Sequence, residues 1–273
     1  LRSVYLLPML SALASVRLHF LRACDSVHAG LLCASNKLPG KTFLKPHTIC
    51  HMMTSLDGRL HPSCWSKSPD GALADWSALY AQVQDALGGE AWIVGRVTMA
   101  EMTKAGPHAP ATSTSTRRPH HFAALDAKFY AIALDRDGKL HFDGSLIDGG
   151  HVVVLLGSNV SDNHLAELAG DGVSYIVADD QEMSLLPLLE VLRRELGIER
   201  LLLEGGAKIN GAFFAAGLVD EFSLLVAPAL DGRLQSQSIV EFGELGLSDK
   251  VRLKLTSSET LAHGTVHLRY SVS

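Results

Sequence analysis

The sequence lacks the features that indicate nucleic-acid binding, disulfide stabilisation or membrane insertion. Its formal net charge is −5 over 273 residues, and no run of lysine and arginine supplies a local basic surface. The four cysteines form no CxxC pair, so neither a disulfide framework nor thiol redox chemistry is indicated. No apolar window reaches the length of a bilayer span. We therefore expect a small-molecule substrate, a cytoplasmic location, and no nucleic-acid or membrane partner.

Common signatures of catalysis and metal binding are also missing. The chain contains no GxGxxG, GxSxG or HExxH motif, which argues against a doubly wound dinucleotide site, a serine hydrolase and a zinc protease. Gly40-Lys41-Thr42 looks like the end of a phosphate-binding loop, but Ser35 stands where that loop requires its first glycine. The histidines and cysteines between residues 47 and 64 match no standard zinc spacing. We predict no metal site.

The first 44 residues differ in character from the rest. Val4 to Val16 is apolar but too short to span a bilayer. Ala12-Leu13-Ala14 imitates a signal-peptidase site, and the arginines without acids before Asp25 imitate an organelle transit peptide. A loosely ordered tail, or an upstream extension from a wrongly chosen start, is the simpler interpretation. We predict an N-terminal extension over residues 1–44, poorly ordered or targeting-like, and one domain over residues 45–273.

From His47 onward, strand and helix patterns alternate, which is typical of a mainly parallel sheet covered on both faces. Residues 103–121, rich in Pro, Ala, Ser and Thr, are predicted to form an exposed loop. Alternating apolar residues on both sides of His263-Gly264 predict a terminal antiparallel hairpin. The predicted strands cover residues 48–54, 91–94, 130–134, 152–156, 174–178, 200–203 and 221–226, and the predicted helices cover 73–87, 163–168, 185–196 and 209–216, with another starting near 98.

Three glycine-bearing turns directly follow predicted strands, where open α/β sheets bind their ligands. They are Ser55-Leu56-Asp57-Gly58, Gly95-Arg96-Val97-Thr98 and Glu204-Gly205-Gly206. Glycine permits close approach of a ligand to the backbone, and the N–H groups at a following helix start suit a phosphate. Each turn by itself is also an ordinary connection. Their shared position after strands favours a ligand site.

Charged residues in and near these turns suggest how a ligand is held. Arg96 and Thr98 are suited to a phosphate, although a surface arginine with a capping threonine looks the same. Arg136 follows the third strand, where it can meet a ribose 2′-phosphate or lie on a solvated hairpin. Asp57 and Glu204 are carboxylates at strand ends, able to orient or protonate a nitrogen heterocycle, and Asp before Gly is also a common turn former.

Several runs resemble known families. Met53-Thr54-Ser55-Leu56-Asp57-Gly58-Arg59 and Trp92-Ile93-Val94-Gly95-Arg96-Val97-Thr98-Met99 resemble the dihydrofolate-reductase-like superfamily. Leu203-Glu204-Gly205-Gly206-Ala207, with Leu218-Val219-Asp220-Glu221 and Pro228-Ala229-Leu230-Asp231-Gly232, resembles the reductase domain of riboflavin-biosynthesis enzymes. The resemblance covers the chain after residue 44. It implies a three-layer α/β/α fold with a mixed, mainly parallel sheet and a C-terminal antiparallel hairpin.

The resemblance also implies a reaction and a set of site residues. The implied activity is NADPH-dependent reduction of an aminopyrimidine ribosyl phosphate to its ribityl product, by hydride transfer to the ribose C1′. Asp57 and Glu204 are then the catalytic candidates, and together with Ser55 they border the substrate. The implied cofactor residues are Met53, Gly95, Arg96, Thr98, Gly205 and Gly206, with Arg136, Leu156 and Gly157 as weaker assignments.

One departure from the family bears on the substrate. The helix before the Gly-Arg-x-Thr strand, where riboflavin enzymes commonly carry His and Arg, has no arginine between Gly71 and Trp92. A sugar-phosphate anchor is therefore in doubt, while the cofactor residues are unaffected. A dihydrofolate or other pterin-like reductase, and an NADPH-binding regulatory module without turnover, stay open as alternatives. The resemblance implies a homodimer, with the last strands and Phe213 to Val226 as candidate contacts that would equally serve as internal core.

Overall fold

The computed structural model describes residues 44–109 and 117–273. The predicted N-terminal extension, except Leu44, and residues 110–116 of the predicted loop therefore lie outside the described residues. The described strands are β1 (His47–Ser55), β2 (Ala91–Gly95), β3 (His120–His121), β4 (Tyr130–Asp135), β5 (Leu146–Ile147), β6 (Gly150–Leu156), β7 (Ser174–Val177), β8 (Arg200–Leu203), β9 (Glu221–Ala227), β10 (Leu253–Thr260) and β11 (Val266–Val272). The described α-helices are α1 (Leu73–Leu87), α2 (Arg96–Thr103), α3 (Asp162–Gly170), α4 (Leu185–Leu196) and α5 (Ala207–Ala215).

The strands form one mixed sheet in the order β10-β11-β9-β1-β8-β2-β4-β6-β7-β3, with β5 paired to β6. All pairings from β9 across to β7 are parallel, and the outer pairings of β10, β11, β3 and β5 are antiparallel. The parallel pairs place the carboxyl ends of β1, β8, β2 and β4 side by side at one edge. The predicted mixed, mainly parallel sheet and its C-terminal hairpin are confirmed.

Two apolar cores cover the two faces of this sheet, because alternate residues of a strand point to opposite sides. In β4, Tyr130 and Ile132 belong to one core and Ala131 and Ala133 to the other. The first core packs under α4 and α5, and the second packs under α1, α2 and α3. The fold is therefore three-layered, as the resemblance implied.

The structure departs from the predicted loop at its end. His120 and His121 form the short edge strand β3, which pairs antiparallel with β7, so the prediction of an exposed loop through residue 121 is wrong there. Both side chains are partly buried. The two-residue strand β5 was also missed. Two residues are too few to display an alternating pattern, so neither strand had a signal to detect.

No helix among the described residues is long and apolar enough to cross a bilayer.

A close backbone approach fixes one glycine of α5. A Cβ added to Gly211 would lie 2.0 Å from the carbonyl oxygen of Glu241, which is far inside van der Waals contact. The segment around Glu241 is held in place by a hydrogen bond from its N–H to the carbonyl of Ala207, 2.9 Å long. Helix α5 can therefore pack this closely against the segment after β9 only because residue 211 has no side chain.

We expect Gly211→Ala to lower the free energy of unfolding by about 1–3 kcal/mol, the usual cost of overpacking. This sign is opposite to helix propensity, because alanine in an ordinary helix interior stabilises by about 1 kcal/mol over glycine. Urea denaturation of the full chain measures it. Gly144→Ala is the matched control, since nothing lies within 4 Å of its added Cβ and its φ is not positive. Equal stability of the two variants would contradict the packing argument.

Candidate active site

The glycine turns after β2 and β8 are joined by a hydrogen bond. The Gly95 N–H donates to the Gly205 carbonyl at 3.0 Å, and the Glu204 N–H donates to the Ile93 carbonyl at 3.0 Å. Gly205 has φ +110°, a backbone conformation that favours glycine. An added Cβ on Gly206 would lie 3.9 Å from Thr98 Oγ1. The structure thus brings together two of the three turns that the sequence singled out.

A cavity of about 570 Å³ opens at this edge of the sheet. Helix α1 contributes Ser77, Tyr80 and Gln84, from successive turns on one face. Of the residues that the structure describes, the acids Asp85, Asp148 and Glu204 line the cavity, and no lysine or arginine does. The full lining consists of Met52, Met53, Leu60, Pro62, Leu73, Ser77, Tyr80, Gln84, Asp85, Trp92, Val94, Thr98, Met102, Phe129, Asp148 and Glu204.

Glu204 is the acid best placed for chemistry in this cavity. Its Oε2 accepts a hydrogen bond from Gln84 Nε2 at 3.3 Å, whereas Oε1 is shielded from solvent and has no partner among the described residues. Burial of the carboxyl group raises the pKa of Glu204 to about 8. At neutral pH this side chain is therefore mostly a neutral acid with a proton to donate.

Tyr80 lines the same cavity as Glu204 and contacts a row of buried polar side chains. Its hydroxyl donates to the His51 carbonyl at 3.0 Å, and its ring stacks on the His51 ring with a centroid distance of 4.3 Å. His51 Nδ1 lies 3.0 Å from Ser223 Oγ, which lies 2.8 Å from His267 Nε2. Burial lowers the pKa of His51 to about 4, so its imidazole is neutral. The row fixes the position of Tyr80 on the cavity wall.

Helices α2 and α5 begin at this edge with unused backbone N–H groups. Their N-cap residues, Gly95 and Gly206, make no side-chain capping hydrogen bond, and neither helix has an acid in its first turn. Arg96 is exposed at the start of α2, and Thr98 lines the cavity. Two helix N-termini and an arginine that the structure pairs with no described acid suit a bound anion.

Arg136, Leu156 and Gly157 also lie together, at the carboxyl ends of β4 and β6. The Gly157 N–H donates to the Arg136 carbonyl at 3.1 Å, and a Cβ on Gly157 would come within 2.5 Å of that oxygen. The Arg136 side chain is 62% exposed. Leu156 is fully buried, so only its backbone is available to a ligand. These three residues are separate from the cavity lining.

Asp57 and Ser55 do not line the cavity. Asp57 accepts hydrogen bonds from the Ser55 hydroxyl at 2.6 Å and from the N–H groups of Asp231 and Gly232 at 3.0 and 2.8 Å. The hydrogen bond from Ser55, followed by those from the two N–H groups, lowers the pKa of Asp57 to about 2. Asp57 is therefore ionised and locks two turns together. Ser55 also accepts from the Arg59 N–H, so its hydroxyl serves the same turn. Met53, by contrast, does line the cavity.

The polar face of α1 was not predicted from the sequence. Tyr80 was assigned to an apolar helix face, and Gln84, one turn later on the same face, was not considered. The i, i+4 spacing of these two polar groups was the available signal. The hydrogen bond between Gln84 and Glu204, however, joins residues 120 positions apart, which no local pattern reveals.

Comparison with known proteins identifies the family to which the chain belongs. A family model described as the RibD C-terminal domain matches residues 46–267. A curated relative from Methanothermobacter thermautotrophicus, named 2,5-diamino-6-ribosylamino-4(3H)-pyrimidinone 5′-phosphate reductase, is 32% identical over 128 residues. That alignment covers 46% of this chain and 58% of the relative.

Solved structures share the fold. RibD of Acinetobacter baumannii superposes with a TM-score of 0.56 at 23% identity, over 85% of this chain and 59% of that chain. A pyrimidine reductase-like protein from Corynebacterium diphtheriae has a TM-score of 0.56 at 19% identity, over 88% of this chain and 96% of that chain. The dihydrofolate-reductase-like α/β architecture is therefore shared, even where sequence identity is low.

The raised pKa of Glu204 has a consequence for stability. The unperturbed pKa of a glutamate is about 4.5, and below that pH the carboxyl group is protonated in both the folded and the unfolded chain. Between pH 4.5 and about pH 8, the carboxyl group loses its proton in the unfolded chain but keeps it in the folded chain. Glu204 therefore destabilises the fold progressively as pH rises through this window. We therefore expect the free energy of unfolding of Glu204→Gln, relative to that of the unsubstituted protein, to rise by on the order of 3 kcal/mol between pH 5 and pH 8.

Denaturant titrations at pH 5, 6.5 and 8 measure this difference. Glu101→Gln is the control, because Glu101 is exposed on α2 and its substitution should leave the pH dependence unchanged. A Glu204→Gln variant whose stability runs parallel to that of the unsubstituted protein would show that the carboxyl titrates normally.

Proposed function

Since the chain belongs to the RibD C-terminal domain family, we propose that it is an NADPH-dependent pyrimidine reductase of riboflavin biosynthesis. The substrate is 5-amino-6-(5-phosphoribosylamino)uracil or the diaminopyrimidinone equivalent, and the product is the ribitylamino compound. The observation that carries the proposal is a neutral acid, Glu204, that lines a cavity and lies two residues before the uncapped N-terminus of α5, while Thr98 in the first turn of the uncapped helix α2 lines the same cavity. We expect the enzyme to work in the cytoplasm as a homodimer.

The cofactor residues present fit a dinucleotide phosphate. The first-turn N–H groups of α2 and α5 are free of side-chain caps, and Arg96 adds a cation beside them. Gly205 and Gly206 leave the backbone open to close approach, and Arg136 is the exposed cation near Gly157 for an adenosine phosphate. When bound, the nicotinamide supplies a hydride to the ribose C1′.

Glu204 supplies the matching proton. When the ribose ring opens, the bond between C1′ and the ring oxygen breaks, and that oxygen takes up a proton. A neutral carboxylic acid with an unpartnered Oε1 inside the cavity is a suitable donor. Gln84 and Tyr80 keep this acid oriented and shielded from water. Asp57 is ionised and fully hydrogen-bonded, so it acts by holding the turn after β1 beside the site.

The charge of the cavity bears on how the substrate is oriented. Among the described residues, its lining contains three acids and no lysine or arginine, in keeping with the missing arginine of α1. The doubly charged phosphate therefore stays at the mouth, and the pyrimidine and ribose enter. Arg59, which precedes the lining residue Leu60 on the turn after β1, is partly exposed, with 31% of its side chain accessible.

An exposed edge supports the dimer. β10 is the last strand of the sheet, and Leu253 and Leu255 lie on one face of it, 49% and 51% exposed. Bare edge strands with apolar side chains are usually covered. The other candidate contact, Phe213 to Val226, has its aromatic residues in the core, so we place the interface at the last strands.

We expect Arg96→Ala to raise the KM for NADPH about 10-fold or more and to leave kcat nearly unchanged, because a charge-assisted hydrogen bond to phosphate is worth about 1.5–3 kcal/mol. Nicotinamide absorbance during turnover of the aminouracil ribosyl phosphate measures both constants. Arg194→Ala is the matched control, since this arginine is exposed on α4 and its ion-pair partner among the described residues is Glu195. An unaltered KM for NADPH in Arg96→Ala would remove Arg96 from the cofactor site.

We expect Glu204→Gln to lower kcat about 10²–10⁴-fold with little change in the KM for NADPH, because the amide cannot donate the proton. The unsubstituted enzyme should lose activity as pH rises through about 8, where Glu204 ionises.

Dihydrofolate and the dephosphorylated ribosyl compound are offered to the unsubstituted enzyme in parallel with the ribosyl phosphate. Turnover of dihydrofolate alone would point to a pterin reductase, and NADPH binding without any turnover would leave a binding module.

A further inference from the structure

A second polar cluster lies on α3 and shares no residue with the cavity lining. It contains three histidines and two acids. Helix α3 and its C-cap contribute His164, Glu167 and Asp171, which occupy one helix face because they are spaced i, i+3 and i+7. His141 comes from the segment after β4, and His108 from the segment after α2. Three separate parts of the chain therefore converge on one side of α3.

Two overlapping sets of ligand-type atoms result. In the inner set, one atom each from His141, His164 and Glu167 lie within 4.8 Å of one another. His141 Nδ1 is 2.5 Å from Glu167 Oε1. The outer set consists of His108, Glu167 and Asp171, with His108 Nε2 2.9 Å from Asp171 Oδ1. Glu167 belongs to both sets, so a single carboxylate links them.

Hydrogen bonding within the cluster leaves buried atoms unsatisfied. His164 is 7% exposed, and its Nε2 is fully shielded without a hydrogen-bond partner among the described residues. Asp171 Oδ2 is in the same condition. Buried polar groups are nearly always paired, and each exception calls for an explanation. The shielded Nε2 of His164 therefore has ligand capacity that no described protein group uses.

We propose that His141, His164 and Glu167 bind a divalent transition-metal ion of the Zn²⁺ class. Imidazole nitrogens and a carboxylate oxygen are ligands that Zn²⁺ and related ions favour. Tetrahedral bonds of about 2.0–2.1 Å place ligand atoms about 3.3 Å apart, and because no pair in the inner set is more than 4.8 Å apart, bringing the widest pair together requires at most about 1.5 Å of movement. The fourth position is left open to water.

His108 and Asp171, the two residues found only in the outer set, complete the environment of the proposed ion. His108 Nδ1 lies 3.5 Å from Glu167 Oε1, and its other nitrogen is held by Asp171. Asp135 also influences His164 through its charge, and one of its oxygens is buried without a partner. Carboxylates behind ligating groups orient them and raise metal affinity. The carboxylates of Asp171 and Asp135, each with one oxygen that has no partner among the described residues, would thus orient the ligands of the ion.

The ion would connect α3 to the turn that follows β4. That turn carries Arg136, and Gly138 packs against the His164 ring, since an added Cβ would come within 3.0 Å of it. The sequence prediction of no metal site rested on the histidines near residue 50. It did not test this cluster, because its ligands are dispersed over three segments and only His164 and Glu167 are close in sequence.

The test uses the full chain, stripped with EDTA and dialysed against metal-free buffer. Isothermal titration with ZnCl₂ should show one ion per chain whose binding is weakened at least 10-fold in both His141→Asn and Glu167→Gln. Zinc at a hundredfold excess over its Kd should raise the Tm by about 5–10 °C, and EDTA should reverse the shift. His47→Asn is the matched control, because this histidine is about half exposed at the start of β1.

Cobalt substitution identifies the ligands even if a variant fails to fold. Co²⁺ in the unsubstituted protein should give the visible bands of nitrogen and oxygen coordination, without the near-ultraviolet band of a cobalt thiolate. A thiolate band would place the ion on cysteines and overturn the proposal. So would the absence of zinc binding, or an isotherm that is the same in His141→Asn, Glu167→Gln and His47→Asn.

Discussion

The hydrogen bond from the Gly95 N–H to the Gly205 carbonyl is the contact around which the site is organised. Helices α2 and α5 pack on opposite faces of the sheet, since Met99 lies in one core and Ile209 in the other. Only at the edge where β2 and β8 end can their N-termini meet, and this hydrogen bond holds the two turns together there. Gly205 accepts it with a positive φ that a side chain would strain. The proposed anion site, which would be built from backbone N–H groups, therefore depends on glycine.

The same edge places an acid where water is scarce. Glu204 follows directly from β8, and its side chain is hydrogen-bonded to Gln84 of α1. A charged carboxylate there would lose its hydration without gaining a cation, since none of the described lysines and arginines lines the cavity. The side chain instead keeps its proton, which costs stability at high pH. Active sites commonly accept such a cost to hold a group in a reactive protonation state.

The sequence predicted the regular elements well for a physical reason. The predicted bounds of α4 and β8 agree with the structure. The apolar pattern of α4 is long and ends before Gly197, and the apolar run of β8 ends before Glu204. The predicted strand ends also located the glycine turns. What it could not supply are contacts across the chain: Asp57 is held by Asp231 and Gly232, 174 and 175 residues away. The α3 cluster likewise assembles only when three segments fold together.

Two carboxylates at the ends of adjacent strands show why residue type alone does not assign a role. Asp57 after β1 receives a hydroxyl and two backbone N–H groups, which stabilise its charge and lower its pKa to about 2. Glu204 after β8 receives one side-chain amide and is otherwise desolvated, so its pKa rises to about 8. Environments that separate two acids in this way divide the work between them. The ionised acid maintains the backbone, and the neutral acid is the one free to take part in proton transfer.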